Sequence, residues 1–280
     1  MSHNYRLIEI TEFTDPRIKL SYWYPQLDSR IPTPDTEIIP SESLDNYSSK
    51  IGLELSESEM KEVIPPDLLE DVRSAYRNLN AKKVHLRSDW KSSIFTDDRE
   101  VLWSSEITHI LEELHHLRTS LIMSRFPATS IVLRDYLDLE PLYVSSYGPD
   151  IYSEVRFIIE EGTVCNGFVD IHKSDFVGAS NTTQEEVVQT VQTKLESDYD
   201  LLEKYANYAA QSLPESSWSI DFVEDSAGDW YCVDMSLYGI YWSEDKNRWH
   251  NISHIPENNP YNPVTQRTDK IPQSPPQSKD

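Results

Sequence analysis

The chain has 280 residues, 48 acidic against 25 basic, for a formal net charge of −23. That length supports one large domain or two moderate ones with a real core. The charge opposes general binding to nucleic acid or anionic membranes, which both require basic patches. The 2 cysteines, Cys165 and Cys232, are too few for a disulfide scaffold and point to a reducing, cytoplasmic setting.

The start, MSHNYRLIEITEFTD, has no basic segment followed by an apolar run, so no secretion signal is expected. No apolar stretch approaches the roughly 20 residues that cross a bilayer. Residues 5–24 predict two short strands split by Thr14-Asp15-Pro16. Pro32 and Pro34 then hold an extended path into a strand over 36–39. Residues 40–60, rich in Ser and Glu without a period, read as loop. A helix is expected over 65–80, with Pro66 in its first turn and Leu69, Val72, Tyr76 and Leu79 at helical spacing. The run KVHLR predicts a strand over 83–87, leading into SDWKSS. A second helix is predicted over 105–123, with Ile107, Ile110, Leu111, Leu114 and Leu121 as its stripe. After it come a strand over 130–133, the segment RDYLDLEPLY, and a hairpin over 154–159 and 163–171. A third helix starts near 181–183 with Thr183 and Glu186 as a capping box, and runs to Leu213 with a break near Ser197-Asp198. Past about 255 the Pro-, Asn- and Gln-rich tail is expected to be disordered. Helices mixed with antiparallel hairpins make the class α+β or mixed α/β.

The chemistry concentrates in SWSIDFVEDSAGDWYCVDMS, residues 217–236, which reads as two strands around a turn. Alternation puts Trp218, Ile220, Phe222, Tyr231, Val233 and Met235 on a core face. Ser219, Asp221, Val223, Cys232, Asp234 and Ser236 take the other face. A turn centred on Ala227-Gly228 sets Asp221 opposite Asp234, where Cβ atoms lie about 4.5–5.5 Å apart and like charges destabilise the sheet. Such a pair persists by binding a cation, sharing a proton or reaching water. Spacing alone leaves a Mg²⁺ site and a hydrated acidic face both open.

Four basic residues, Arg87, Lys91, Arg134 and Arg156, stand at strand ends or on a strand face. Arg156 shares its side with Glu154 and Ile158, away from Val155, Phe157 and Ile159. Singly, each reads as a surface charge or ion-pair partner. Together, upstream of opposed carboxylates, they are what a Mg²⁺–polyphosphate site needs. Glu112 and His116, beside His115, lack a second ligand pair and read as a solvated helix face. The Cys232 thiol has no His nearby in sequence and reads as packing. There is no nucleophile elbow, P-loop, dinucleotide fingerprint or zinc spacing. With 7 glycines, a long Gly-rich phosphate loop is excluded.

The segments IPTPDTEII, KKVHLRSDWKSS, SIVLRDYLDLEPLY, SEVRFIIEEGTV and SWSIDFVEDSAGDWYCVDMS occur in an order that resembles the ATP-grasp superfamily. The resemblance covers most of residues 30–243 and is nearest to ATP-grasp-domain proteins of haloarchaea, their viruses and bacteria. It implies an α+β fold with two α+β subdomains clasping ATP behind a smaller amino-terminal α/β domain. The boundaries implied are 1–80 for that domain, 81–255 for the ATP-grasp domain and 256–280 for the tail. Phosphate contacts would come from Arg87 or Lys91. Adenine would lie along 133–137, with Arg134, Asp135, Tyr136 and Leu137, and the ribose near Asp138 or Glu140. Arg156 matches the catalytic arginine on the phosphate or substrate side, and Asp221, Asp234 and Ser236 match the Mg²⁺ ligands.

Two features depart from the family pattern. Asp234-Met235-Ser236 stands where Glu-x-Asn is usual, and the phosphate-covering loop lacks glycines. The implied function is an ATP-dependent, Mg²⁺-dependent ligase that activates a carboxylate as an acylphosphate for attack by an amine or similar nucleophile. One alternative is a non-catalytic nucleotide-binding or scaffold protein with a degenerate site; another is an acidic interaction protein without a small ligand. The partners implied are ATP and a small-molecule or peptide carboxylate.

Overall fold

The computed structural model describes residues 6–7, 16–40, 64, 66–81, 83–89, 100–102, 130–145, 150–171, 176, 180–237, 240–243 and 248–251. The helix expected over 105–123, with Glu112, His115 and His116, lies outside these, as do Lys91 and the tail 256–280.

A short strand β1 (Arg6–Leu7) precedes a helical segment: a 3₁₀ turn at Pro16–Ile18, helix α1 (Leu20–Trp23) and a second 3₁₀ turn at Tyr24–Gln26. The second strand expected in this stretch is therefore a helical one. Leu20 and Trp23, three apart, are both buried, and Pro25 sits in the first turn of the last 3₁₀ piece, where a missing N–H costs nothing. Next come β2 (Thr36–Pro40), α2 (Pro66–Leu79), β3 (Lys83–Ser88), β4 (Glu100–Leu102) and β5 (Ser130–Asp135). They build a sheet in the order β2-β5-β3-β4, which straddles the boundary expected at residue 80. Its edge strand β2 ends on Pro40, where a ladder donor is dispensable. On one face, Ile39, Val84, Ile131 and Leu133 pack against Leu68, Val72, Ala75 and Tyr76 of α2.

The other face of that sheet mixes buried Arg87, Val132 and Arg134 with half-buried Thr36, Ile38 and His85. Register places Thr36 and Arg134, then Arg134 and His85, then Val132 and Arg87, as neighbours on this side.

The second sheet holds β6 (Glu154–Glu160), β7 (Thr163–Val169), β8 (Trp218–Glu224) and β9 (Trp230–Leu237), in the order β7-β6-β8-β9. Between β7 and β8 runs α3 (Asn181–Ser212), 32 residues without a break. Its N-cap is Ser180, whose hydroxyl accepts from the Thr183 N–H at 3.1 Å, so Thr183 is the third helical residue rather than the cap. The expected break at Ser197-Asp198 is absent: Leu195 and Leu202 on either side are buried in one core, and Asp198 accepts a hydrogen bond from Trp230 at 3.0 Å. Turn residues Glu161 (φ 49°) and Gly162 (φ 76°) both adopt the left-handed conformation that a two-residue hairpin requires. Two further strands, β10 (Ile240–Ser243) and β11 (Arg248–Asn251), complete a third sheet in the order β1-β11-β10. All strand pairings among the described residues are antiparallel, and the fold is α+β.

One face of the second sheet, with Val155, Phe157, Ile159, Trp218, Ile220, Phe222 and Met235, is sealed by α3 through Val191, Leu195, Leu202, Ala206 and Leu213. Burying each large side chain there stabilises the fold by about 1.5–3 kcal/mol. At its centre the Phe157 ring fills the space over Gly167: a Cβ at that position would lie 2.5 Å from ring carbons. The ring is fully buried and cannot yield. Gly167→Ala should therefore destabilise the protein by about 1–3 kcal/mol. Adding Phe157→Leu should recover part of that loss in chemical denaturation; strict additivity of the two losses would contradict this packing.

Candidate functional site

The polar face of the β7-β6-β8-β9 sheet carries the charges. Register aligns Phe168, Arg156, Asp221 and Asp234 as one row across all four strands. A second row holds Asn166, Ile158, Ser219 and Ser236. Asp221 and Asp234 thus face each other as the sequence predicts, but by a different route. The loop is 225–229, centred on Ala227, with Glu224 opposite Trp230. A bulge then inserts Val233 between the pairs Phe222–Cys232 and Asp221–Asp234. The odd loop and the bulge offset each other at the aspartates, yet the alternation between them is inverted. Cys232 and Trp230 consequently enter the core, while Tyr231 and Val233, expected there, are only half-buried. Cys232 therefore leaves the carboxylate face, and burial pushes its thiol pKa up.

Arg156 is the electrostatic centre. Its Nε donates to Asp221 Oδ1 at 2.5 Å and its Nη2 to Asp221 Oδ2 at 2.8 Å, a two-pronged contact, while Nη2 also reaches Asp170 Oδ2 at 2.6 Å. Carboxylate oxygens of Glu154, Asp170 and Asp221 all lie within 4.8 Å of one another. Burial opposes the charge of Arg156, but Asp170 and Asp221 outweigh it and hold the guanidinium pKa well above its ordinary value. Sequence reading had Glu154 on the same face, whereas Asp170 was not singled out. Asp170 N–H donates to Glu154 O at 3.2 Å just beyond the hairpin ladder. A bulge between Ile158 and Ile159 shifts the register, so counting back from the Glu161-Gly162 turn sets Asp170 opposite Ser153 and hides it.

Ser236 lies opposite Ser219, the two hydroxyl oxygens 2.7 Å apart and both residues buried. Asp234 is half-buried.

The facing basic group is Arg134. It is 4% exposed; Nε donates to Thr36 Oγ1 at 3.0 Å and Nη1 to the bulge carbonyl of Val233 at 2.5 Å, joining the two sheets. Its Nη2 is buried and has no hydrogen-bond partner among the described residues. Burial, then the neighbouring Arg87, lowers its pKa to about 10. Being lowered, this base is charged at neutral pH at a cost to the fold, and that cost fades only as pH rises between about 10 and its ordinary 12.5. Arg87 is buried beside it, its Nε donating to Ser88 O at 3.2 Å.

Past β5 the chain is held at several points. Asp135 N–H donates to Asp35 O at 2.8 Å and Tyr136 N–H to Lys83 O at 3.3 Å, with Lys83 Nζ 5.4 Å from the Tyr136 ring centre. Leu137 is half-buried and Glu140 exposed. Asp138 is tied to the β8–β9 loop, where the Ser226 hydroxyl donates to its carboxylate at 3.1 Å and the Ser226 N–H to its carbonyl at 2.7 Å. The structure thus brings Arg156, Asp221 and Asp234 together and hangs Arg134 on the same hairpin. The 135–140 segment borders that hairpin through Asp138.

Solved structures share this outline. Cdc123 from Schizosaccharomyces pombe aligns over 83% of this chain and 87% of its own, at 13% identity and a TM-score of 0.47. D-cycloserine synthetase DcsG aligns over 81% and 63%, at 12% identity and 0.43. The ATP-grasp ligase PsnB, complexed with a minimal precursor, aligns over 80% and 55%, at 10% identity and 0.37. No family model and no curated protein matches the chain. Likeness at this level is one of fold outline.

The Arg156–Asp221 pair gives a direct stability test. Asp221→Asn removes a charge-assisted contact but leaves Arg156 with Asp170, so it should cost about 1.5–3 kcal/mol in urea unfolding. In a double-mutant cycle with Arg156→Met the coupling should be at least about 1 kcal/mol. Independent, additive losses would contradict a shared network.

Proposed function

We propose that the protein is an ATP-dependent ligase that activates a carboxylate as an acylphosphate for attack by an amine or similar nucleophile. The observation that carries this reading is the juxtaposition of opposed carboxylates, Asp221 and Asp234, with a buried arginine on the facing sheet whose Nη2 finds no acceptor among the described residues. A buried guanidinium N–H without an acceptor is costly, and a phosphate oxygen is the acceptor that suits it best. The ordered segments that resemble ATP-grasp proteins support the same reading.

The donor set fits a hard divalent cation. Asp221, Asp234 and the Ser236 hydroxyl offer oxygens from adjoining rows of one face, the ligand type Mg²⁺ prefers. These residues would hold Mg²⁺, which when bound supplies charge neutralisation to the phosphates. Arg134 and Arg87 would bind and orient the phosphate chain, and the 135–140 segment would border the nucleoside. Arg156, on the side of the row away from Asp234, would meet the transferred phosphoryl group or the substrate carboxylate. No side-chain nucleophile is needed; positioning and fixed charge carry the rate. Both cysteines are free, which suits the reducing compartment where ATP is available.

A second reading, nucleotide binding without turnover, is favoured by one local feature. The Ser236 hydroxyl is already paired with Ser219, and both Asp221 oxygens are held by Arg156.

Ligation predicts ADP release that depends on both a carboxylate and an amine, found by screening pools of amino acids and small peptides. Asp221→Ala should lower that rate by about 100-fold or more. ATP binding with no ADP formed under any pool would establish the second reading instead.

A further inference from the structure

Building on the nucleotide-site reading, we infer that Arg156 is a displaceable counter-ion: a divalent cation gains Asp221 when the guanidinium moves off it onto an incoming anion. The two partners differ in freedom. The Asp221 side chain is 5% exposed and fixed in a central strand, while the Arg156 side chain is 23% exposed, on a long flexible stem. The arginine can leave; the aspartate cannot. Nε and Nη2 together occupy both Asp221 oxygens, so a metal and the guanidinium compete for one carboxylate. Three carboxylates surround this one guanidinium, and Asp234 stands opposite as a further negative group. Four carboxylates, Glu154, Asp170, Asp221 and Asp234, thus stand against two guanidinium groups, Arg156 and Arg134, which favours a divalent cation.

An anion of phosphate type completes the exchange. It offers Arg156 acceptors equivalent to those it gives up, in the same bidentate geometry. Metal and nucleotide then bind cooperatively, because each frees or fills what the other needs, and the coupling is reciprocal. Glu154 and Asp170 act as positioning residues that return the guanidinium to its resting place.

The test measures free Mn²⁺ by electron paramagnetic resonance, with Mn²⁺ alone and with a non-hydrolysable ATP analogue, the Mn²⁺ chelated by the analogue being subtracted from a protein-free titration. Wild type should bind Mn²⁺ weakly alone and more tightly with the analogue. Arg156→Met should bind Mn²⁺ alone about tenfold tighter than wild type and lose most of the enhancement by the analogue. Adding Asp234→Ala should remove the gain, which a merely structural effect of Arg156→Met would not predict. If Arg156→Met does not fold, Arg156→Lys, whose ammonium cannot engage both oxygens in the same plane, should shift affinity in the same direction. Equal or weaker Mn²⁺ binding by the variant overturns the inference; if wild type still couples Mn²⁺ to the analogue, the nucleotide site itself stands. If wild type binds neither the analogue nor Mn²⁺ with it, both fail.

Discussion

Two aspartates facing each other across an antiparallel pair are a cost that the rest of the sheet must offset. Asp221 is nearly sealed from water, so hydration cannot relieve it, and Arg156 does so from the neighbouring strand. The hairpin β6–β7 is positioned by the same need, since its far end brings Asp170 to the second side of that guanidinium. A buried ion pair of this kind adds little net stability over an apolar equivalent, because desolvation consumes most of the attraction.

Arg134 obeys the same logic across the gap between sheets. Its burial lowers its own pKa, and among the described residues only two of its three guanidinium nitrogens find acceptors. The acceptor it takes from the second sheet is the carbonyl of Val233, the inserted residue of the bulge. One irregularity thus does two things: it aligns the aspartates, and it offers a backbone oxygen that ties the sheets together.

Much of this was legible in the sequence. Period-2 alternation gave the faces of β6, and turn chemistry gave the β6–β7 hairpin, because both are local signals. The helix over 66–79 followed from its apolar spacing and its leading proline. The opposition of Asp221 and Asp234 was legible only through two offsetting irregularities, an odd loop and a bulge, neither of which has a residue signature here. That is why Cys232, Tyr231 and Val233 fell on the wrong faces. The stretch 17–24 was read as strand because Tyr and Trp favour strands on average, whereas here burial of Leu20 and Trp23 selects helical spacing. The strand β11, which pairs with β10 and with β1 from far along the chain, carries no local mark of the second partnership.

The account stands on whether the opposed carboxylates hold a metal–nucleotide complex. Calorimetric titration of ATP into the full chain, with and without Mg²⁺, tests this directly. The prediction is binding that strengthens markedly with Mg²⁺ in wild type and loses that dependence in Asp234→Ala, with the variant otherwise folded. ATP binding that ignores both Mg²⁺ and Asp234, or no binding at all, would contradict it.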